Sequence, residues 1–502
     1  MTSVVVEREI ACESERASLW CAVADTERLN RAIGLGPIAA KPLSTESAAR
    51  FTVATVSGGF ALEYEERPFE FVENERFVVR RLVKKGMVRS IEHSFELTPR
   101  PGGGTMLRIR ISVEAPGVLA PLVKIQVRRF VAKIEQELRS VDAEIVAGKG
   151  ACFLDTRSAI DESALGRAKK ALCDGVPEQR LPYAEKLVKF VRDGSDADVS
   201  RIRPFELAAE LGVDEREMLA TCLSAVGAGL VELRWDLICP SCRTANDRIV
   251  RLSELPTSGH CQLCDISYEL EFDRAVEATF QPSSAIRTGL TGPFCIGGPM
   301  LTPHVVAQAI LPPGGSVQLK APPIAGRYRL FVRGGAAAGV EVGPSGATAA
   351  RYVAGDTSLD GDRSSLAPEA EITISQTLDR ERHVKLERLN WASRAATAHH
   401  VSTLPEFRRS FAAEVLKSGV SLRVARAALL FTDLTGSTAL YERVGDAKAF
   451  HVVHDHFAIL SRVVAEHRGS VVKTIGDAVM ASFVEDGDAV RAAVAMHRAF
   501  PA

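Results

Sequence analysis

The chain has 502 residues, which is too long for one hydrophobic core, and its length alone predicts about three to four domains. Its composition is that of an ordinary globular protein, since 46% of the residues are hydrophobic and 25% are charged. The formal net charge of −1 gives no argument for nucleic acid or an anionic membrane as the main partner.

The amino terminus and the lack of long apolar runs predict a cytoplasmic protein. Residues 1–16 alternate apolar with charged residues, a pattern typical of a β-strand and not of a signal peptide, which needs a continuous apolar stretch. The sequence contains no run of about 18 apolar residues, so we expect no membrane-spanning helix.

Residues 1–146 alternate strand-like and helix-like patterns and end in a long amphipathic helix. Apolar residues recur every three or four positions over 123–145, and Pro101 with the three glycines after it predicts a turn between two strands. This order, with the segment ERASLWCAVADTERLNRAIG, resembles the helix-grip (START-like) domains, in which a curved antiparallel sheet wraps around a carboxyl-terminal helix. The resemblance implies an apolar small-molecule ligand in this domain. Residues 147–165 are predicted to be a linker.

Residues 166–236 are predicted to be a helical segment that ends in a strand. Two helix-like runs flank a turn at Gly212, and Asp214 and Glu217 are spaced as a capping box for the second helix. This is the outline of a winged helix, a fold that often binds DNA. The second helix, however, begins with the carboxylates of Asp214, Glu215 and Glu217, which would repel phosphates. We therefore favour a protein contact or a spacer over DNA binding.

Four cysteines within residues 237–272 form two C-x2-C pairs, Cys239 with Cys242 and Cys261 with Cys264. Two residues between the thiolates allow both sulfurs of a pair to reach one ion, and two pairs complete a tetrahedron around Zn²⁺. Four thiolates leave no position open for water, so we expect a structural zinc ribbon rather than a catalytic metal site. A redox-active thiol pair is the alternative.

Two further segments lead to the end of the chain. Residues 273–400 contain short β-rich runs between Gly and Pro turns, which predicts an all-β module. Residues 401–422 are predicted to form a connector helix with Thr403 as its N-cap and Gly419 at its end. The helix either transmits a signal to the following segment or is an ordinary packed connector.

The last segment, residues 423–502, places two acidic residues at the ends of strands. Residues 427–431 form a continuous apolar run, typical of a buried central strand, and Asp433 follows it. Asp477 lies in a tight turn between two later strands, where it could lie beside Asp433. The four histidines His451, His454, His456 and His467 are expected to be solvated helix residues. Two adjacent carboxylates resist joint ionisation, and bridging Mg²⁺ would remove that conflict and support in-line phosphoryl chemistry. The sequence lacks a GxxxxGK[ST] loop, which argues against a P-loop NTPase.

The motifs FTDLTGST (431–438) and KTIGD (473–477) resemble those of the bacterial class III adenylate and guanylate cyclases. The resemblance implies that Asp433 and Asp477 hold two Mg²⁺ (or Mn²⁺) ions, with the Leu434 carbonyl as a further ligand. It also implies that Lys473 contacts the purine of the substrate. The backbone that would surround the β- and γ-phosphates belongs to Leu434, Thr435, Gly436, Ser437 and Thr438.

The order of segments is similar to that of multidomain bacterial class III cyclases. The predicted fold class is therefore multidomain α+β, with a helix-grip domain, a winged-helix-like segment, a zinc ribbon, an all-β module and the first half (βααββα) of a ferredoxin-like cyclase domain. The resemblance implies a regulated enzyme that converts ATP to 3′,5′-cyclic AMP and pyrophosphate in signal transduction, as a homodimer or heterodimer formed through the cyclase domain. The alternative is a ligand-binding regulatory protein with a non-catalytic cyclase remnant.

In the class III cyclases, the second half of the catalytic domain carries another base-reading residue and the Asn and Arg that stabilise the transition state. The first half of the family pattern ends close to Ala502, the last residue of this sequence. We therefore expect residues 1–502 to be a fragment of a longer protein, a truncated gene product or a half-domain that needs complementation. In each case we expect this chain to have no cyclase activity by itself.

Overall fold

The computed structural model describes residues 1–42, 51–57, 60–149, 153, 157–241, 244–261, 264–270, 275–288, 292–389, 395–410, 427–436, 439, 442–443 and 445–500. Three residues of the predicted sites, Cys242, Ser437 and Thr438, lie outside these ranges, as does most of the predicted connector helix. Among the described helices, none is long and apolar enough to cross a membrane.

The first 146 residues form an antiparallel sheet that packs against one long helix. β1 pairs with β8 from Thr2 opposite Ala115 to Cys12 opposite Thr105, and the sheet continues through β7 to β6, which also pairs with β4 and β5. The long helix α3 packs on β1 and β8 with the buried side of its amphipathic pattern. The elements are β1 (Thr2–Cys12), α1 (Arg16–Val23), α2 (Thr26–Ala32), β2 (Ala39–Pro42), β3 (Phe51–Ser57), β4 (Phe60–Glu66), β5 (Glu70–Val72), β6 (Arg76–Lys85), β7 (Ser90–Pro99), β8 (Thr105–Ala115) and α3 (Ala120–Val146).

The predicted glycine-rich turn connects β7 to β8. Gly102, Gly103 and Gly104 all have positive φ values, a region that favours glycine. At Gly104 a Cβ would lie only 2.4 Å from the carbonyl oxygen of Cys12, so another residue would require the backbone to move. This glycine therefore allows β8 to lie against the end of β1.

The middle of the chain is helical and has the predicted helix–turn–helix–strand order. The turn contains Gly212 with φ +63°, and the Asp214 carboxylate accepts hydrogen bonds from the N–H groups of Arg216 and Glu217 at 2.9 and 3.0 Å. The Glu217 carboxylate accepts a hydrogen bond from Arg180 at 2.5 Å, because a guanidinium is a stronger donor than the backbone N–H that a capping box would offer. The elements are α4 (Glu162–Gly175), α5 (Leu181–Asp193), α6 (Asp196–Val199), α7 (Pro204–Glu210), α8 (Glu215–Gly227) and β9 (Val231–Ile238).

Two small sheets surround the predicted zinc ribbon. β9 is the central strand of a three-stranded antiparallel sheet, with β10 (Ala245–Ile249) on one side and β13 (Val276–Pro282) on the other. β11 (Ser258–Cys261) and β12 (Ile266–Glu269) form a separate hairpin. The cysteine pairs therefore lie where β9 ends and where the hairpin turns.

The β-rich module shares a sheet with the amino-terminal unit. β14 pairs with β5, with Ala307 opposite Val72, and the sheet continues in the order β14-β20-β16-β17-β19-β15, with β18 on β17. Before β14, the backbone N–H groups of Phe294 and Cys295 donate to the carboxylate of Glu27 at 2.7–2.9 Å. The strands are β14 (Val305–Leu311), β15 (Ser316–Lys320), β16 (Gly326–Val332), β17 (Ala337–Ala354), β18 (Leu359–Gly361), β19 (Ser365–Ser375) and β20 (Arg382–Arg388).

The described start of the connector consists of two short helices, α9 (Ala398–Ser402) and α10 (Pro405–Ser410). Thr403 does not have the predicted N-cap role, since it closes α9 and its hydroxyl donates to the His400 carbonyl at 2.7 Å. The break before Pro405 has a physical cause, because proline lacks the N–H of a helix interior and disfavours a helical residue before it.

Within its described residues, the carboxyl-terminal segment is a three-stranded antiparallel sheet with α11 and α12 packed on one face. The strand order is β21-β23-β22, and the core includes Leu460, Val479 and Phe483. The apolar run over 427–431 is typical of a buried central strand, but in the described residues β21 is an edge strand and helices cover only one face of the sheet. Leu429 and Phe431 are 52% and 62% exposed. The elements are β21 (Ala428–Thr432), α11 (Asp446–Glu466), β22 (Ser470–Ile475), β23 (Ala478–Phe483) and α12 (Asp486–Ala499).

Candidate active site and metal centre

The two predicted metal-binding aspartates lie at the same edge of the carboxyl-terminal sheet. Thr432, the last residue of β21, pairs with Val479 of β23, and its hydroxyl accepts a hydrogen bond from the Val479 N–H at 3.1 Å. Asp433 follows Thr432 directly, and Asp477 comes two residues before Val479 in the β22–β23 turn. Strand pairing therefore brings together two residues that are far apart in the sequence.

Both carboxylates are available for a ligand. Asp433 is exposed and Asp477 is partly buried, and among the described residues neither takes part in a hydrogen bond or an ion pair. Carboxylate oxygens are the ligands that Mg²⁺ prefers in proteins. The donor set thus fits a divalent cation, with the Leu434 carbonyl next in the chain.

His456 of α11 also belongs to this neighbourhood, and it is partly buried, whereas His451 and His454 are exposed as expected. Burial lowers the pKa of His456, and the charge of Asp477 acts in the opposite direction with a smaller effect. Its ring lies 4.7 Å from the ring of Phe500, and its Nε2 is buried without a hydrogen-bond partner in the described part of the chain. Helical periodicity alone could not locate this histidine, because its partners come from the β22–β23 turn and from the end of α12.

The loop after Asp433 faces solvent where it is described. Thr435 and Gly436 are exposed and Leu434 is partly buried. Gly436 has φ +78°, a conformation that favours glycine over residues with a Cβ. The remaining predicted phosphate-binding residues, Ser437 and Thr438, lie outside the described ranges.

Lys473 lies on the exposed face of the same sheet. It pairs with Met480 of β23, and Met480 pairs on its other side with Phe431 of β21. Residues directly opposite each other in a sheet share a face, so Lys473, Met480 and Phe431 form one row across the three strands. The KTIGD motif identifies the lysine, whereas only the strand register identifies the two apolar residues.

Three of the four predicted zinc ligands form a cluster. The sulfur atoms of Cys239, Cys261 and Cys264 all lie within 4.8 Å of one another, and all three residues are buried. The Ser241 N–H donates to the Cys239 sulfur at 3.3 Å. The fourth cysteine, Cys242, lies outside the described residues. Three convergent buried thiols fit the tetrahedral zinc site that the two C-x2-C pairs predict.

The β-rich module contacts this cluster through the end of β16. Arg333 donates to the Asp265 carboxylate at 3.0 Å, and the Gly334 N–H donates to the Cys264 carbonyl at 3.0 Å. Burial lowers the pKa of Arg333, while the charges of Asp265, Cys264 and Cys261 act to raise it. The guanidinium thus lies where it can offset negative charge on the cysteine thiolates.

The amino-terminal unit, for which the helix-grip resemblance implies an apolar ligand, has a cavity of about 20 Å³. Its lining is mostly aromatic and aliphatic, but Arg81 and His93 also reach it. Arg81 lies 2.9 Å from the buried Glu66 carboxylate, and burial lowers the pKa of His93 to about 3. A volume of this size holds about one water molecule, so a larger ligand would require the unit to open.

Three solved structures that are similar to part of this chain have low TM-scores. Ara h 8.0201 is 14% identical with a TM-score of 0.22, covering 28% of this chain and 99% of its own. The Zhui aromatase/cyclase from Streptomyces sp. R1128 is 13% identical with a TM-score of 0.24, covering 30% of this chain and 99% of its own. The di-domain ARO/CYC StfQ from the steffimycin biosynthetic pathway is 13% identical with a TM-score of 0.24, covering 29% of this chain and 52% of its own. TM-scores this low support no statement about ligand or activity.

Comparison with protein families is more informative. A search of curated protein sequences found no match. Residues 178–290 match a family of unknown function (DUF5939). This range includes most of the helical segment and the cysteine cluster. Residues 420–498 match the adenylate and guanylate cyclase catalytic domain, the family to which the two sequence motifs point. The carboxyl-terminal segment of this chain is therefore similar, over residues 420–498, to the catalytic domain of the adenylate and guanylate cyclases.

Proposed function

We propose that this chain supplies the metal-binding half of a regulated class III cyclase that converts ATP to 3′,5′-cyclic AMP and pyrophosphate in the cytoplasm. The observation that carries the proposal is the pairing of Thr432 with Val479, which places Asp433 and Asp477 at one edge of the sheet. In the described residues neither carboxylate takes part in a hydrogen bond or an ion pair, so the oxygens of both are available to a metal ion.

Asp433, Asp477 and the Leu434 carbonyl would hold two Mg²⁺ (or Mn²⁺) ions. Such ions lower the pKa of a bound hydroxyl and neutralise charge on a triphosphate. The backbone of residues 434–438 would bind the β- and γ-phosphates and so orient the chain of phosphates. In the reaction, the ribose 3′ hydroxyl loses its proton to solvent and its oxygen forms a bond to the α-phosphorus. The bond from the α-phosphorus to the oxygen that bridges the α- and β-phosphates breaks, and pyrophosphate leaves.

The row formed by Lys473, Met480 and Phe431 is proposed to receive the purine. Met480 and Phe431 offer apolar surface to the flat base, and the Lys473 ammonium can donate a hydrogen bond to an acceptor on its edge. All three lie on the face of the sheet that α11 and α12 leave uncovered. Since N1 of adenine accepts a hydrogen bond and N1 of guanine carries a proton, a lysine donor favours ATP over GTP.

The catalytic site is proposed to be completed by a related cyclase chain, which supplies the second half of the catalytic domain. Residues 1–146 are proposed to regulate it by binding a small apolar molecule, and the helix-grip resemblance supports this role. The described cavity of about 20 Å³ would have to widen to admit such a ligand.

The test is a complementation assay. The purified chain is mixed with an intact class III cyclase whose own two metal-binding aspartates are replaced, and Mg²⁺-dependent cyclic AMP formation is measured. We expect activity in the mixture that Asp433→Asn or Asp477→Asn lowers by about 10²-fold or more. Glu466→Gln, at the exposed end of α11, is the control that retains activity. Activity that persists unchanged in both aspartate variants would overturn the assignment, and a chain that binds Mg²⁺ATP without ever supporting turnover would favour a non-catalytic regulatory protein.

The cysteine cluster is proposed to bind one structural Zn²⁺ through Cys239, Cys242, Cys261 and Cys264. The burial and convergence of the three described thiols support this assignment over a redox pair, which needs solvent access. Metal analysis of the reduced protein should find about one zinc per chain. Cys239→Ser should abolish zinc binding, whereas Cys21→Ser, at an exposed thiol outside the cluster, should retain it. Zinc-free protein with an intact fold would contradict the proposal.

A further inference from the structure

The amino end of α8 contacts the turn that precedes β22. The Arg216 guanidinium donates to the carbonyl oxygens of Arg468 and Gly469, with distances of 2.9 Å from Nη1 and 3.4 Å from Nη2. The Arg468 guanidinium in turn lies 3.7 Å from the Asp214 carboxylate. These contacts join the two regions that match different families, 178–290 and 420–498.

The turn that accepts Arg216 has a defined geometry. After α11, the N–H of Arg468 donates to the Ala465 carbonyl at 3.1 Å and that of Gly469 donates to the Val464 carbonyl at 2.8 Å, the pattern of a Schellman motif. Arg468 has φ +63°, a conformation usually taken by glycine at this position, and its ion pair with Asp214 helps to hold it. At Gly469 a Cβ would lie 2.2 Å from the Phe483 ring. The turn therefore presents its two carbonyl groups to Arg216 in a fixed arrangement.

Arg216 is itself held by a charged network. It is partly buried, and burial lowers its pKa, while the charges of Glu217, Glu406 and Asp214 act to raise it. Arg180 donates to Glu217 at 2.5 Å and to Glu406, in the described start of the connector, at 2.6 Å. Movement of α8 would therefore alter its hydrogen bonds to the turn and, through Arg180, the contact with α10.

The turn leads directly into the strand that carries the proposed nucleotide-binding residues. β22 begins at Ser470, the pairing with β23 shifts between Val471 and Lys473, and the strand ends at the turn containing Asp477. The position of the Arg468–Gly469 carbonyls thus sets where β22 starts.

We infer that the amino end of α8, with Asp214 and Arg216, is a docking surface for the α11–β22 turn, and that through it the segment of unknown function positions β22. The occupant of the surface is the chain's own cyclase domain. Arg216 is a positioning residue, because it contacts the turn and not the substrate. The effect of this contact on cyclase activity rests on the proposed function. The docking itself does not depend on that function.

Hydrogen exchange in the full chain tests the docking. Arg216→Ala removes a charged donor from two carbonyls, so the amides over 468–475 should exchange about tenfold faster, and trypsin should cleave faster after Arg468. Arg216→Lys keeps the charge but loses the bidentate geometry, so its exchange and cleavage rates should lie between those of the wild type and Arg216→Ala. The control is Arg192→Ala, whose described partner is the neighbouring Asp193. Arg216→Gln provides a second variant, of similar size, should the alanine variant fold poorly.

Unchanged exchange and cleavage in folded Arg216→Ala and Arg216→Gln would overturn the inference. The complementation assay then addresses the consequence, since Arg216→Ala should lower cyclase activity several-fold while zinc content stays at the wild-type value. Faster exchange with unchanged activity would overturn the effect on the site. A wild-type mixture without activity would instead count against the proposed function, which the exchange measurement does not involve.

Discussion

The hydroxyl of Thr432 accepts a hydrogen bond from the backbone N–H of Val479 at 3.1 Å. This bond lies between the two acidic positions of the candidate site, since Asp433 follows Thr432 and Asp477 precedes Val479 by two residues. Thr474 of β22 pairs with Val479 from the other side. Among the described contacts, the Thr474 side chain makes no hydrogen bond to the Val479 N–H. The side chain of Thr432 therefore contributes to the alignment of the two aspartates beyond the pairing of the strands.

Thr432→Val should weaken this alignment. The variant keeps the shape of the side chain and removes one hydrogen bond, which contributes about 0.5–1.5 kcal/mol to stability. We expect a lower affinity for Mn²⁺, measured by titration of the full chain, and faster exchange of the Val479 amide. Thr474→Val, which removes a hydroxyl from the other partner of Val479, is the matched control and should leave both quantities unchanged. Equal effects of the two substitutions would show that the hydroxyl of Thr432 has no special part.

Lys473→Glu should reduce the preference for ATP over GTP. A lost hydrogen bond from a charged donor to the base corresponds to about 1.5–3 kcal/mol, or about a tenfold or greater loss of discrimination. The measurement is the ratio of kcat/KM for the two nucleotides in the complementation mixture. Lys448→Glu, an exposed lysine near the start of α11, controls for the change of charge. An unchanged ratio in Lys473→Glu would exclude base recognition by this residue.

His456 should report on the state of Asp477. Burial lowers the pKa of His456 below the usual 6.5, and the charge of Asp477 partly opposes this effect. A histidine with a lowered folded-state pKa is neutral in the native state, so its protonation reduces stability as the pH falls below 6.5. Asp477→Asn should lower the pKa of His456 further, and Mg²⁺ should do the same by adding positive charge nearby. An NMR titration of the imidazole measures both effects, with Glu466→Gln as the control. A pKa of His456 that responds to neither change would separate it from the site.

Local features of the fold could be predicted from the sequence, and contacts between distant segments could not. The cap at Asp214, the turn at Gly212 and the length of α3 depend on neighbouring residues, and the structure contains all three. The burial of residues 427–431 was overestimated, because an apolar run does not indicate how many faces of a strand are covered.

The candidate site follows the same division. The motifs identified Asp433, Asp477 and Lys473, whereas Phe431 and Met480 required the register of three strands. The contact of Arg216 with Gly469 joins residues separated by 253 positions, a relationship that no local pattern carries. The acidic start of α8 predicts a protein contact or a spacer, and in the structure the amino end of this helix contacts the α11–β22 turn of the same chain.

Arg333→Gln should make the proposed zinc site lose its metal more readily. Zinc bound by four thiolates carries a net negative charge, and burial of that charge is unfavourable unless a cation or hydrogen-bond donors lie nearby. Arg333 is 8% exposed, bonds to Asp265 next to Cys264, and comes from a different module than the cysteines. Glutamine retains a donor but removes the charge, so zinc affinity should fall by about 10- to 100-fold, as for other residues that support metal ligands.

Competition with a chromophoric chelator measures this affinity in the intact chain. Arg327→Gln is the matched control, because Arg327 lies on the same strand, β16, and is exposed. If Arg333 acts only by packing, the zinc affinity of Arg333→Met should equal that of the wild type. If it acts through its charge, Arg333→Met should lose zinc at least as readily as Arg333→Gln, and Arg333→Lys should retain much of the affinity. Zinc retention by Arg333→Gln equal to that of Arg327→Gln would show that the thiolate charge is balanced elsewhere, since the two variants differ in the position of the lost charge and not in its size.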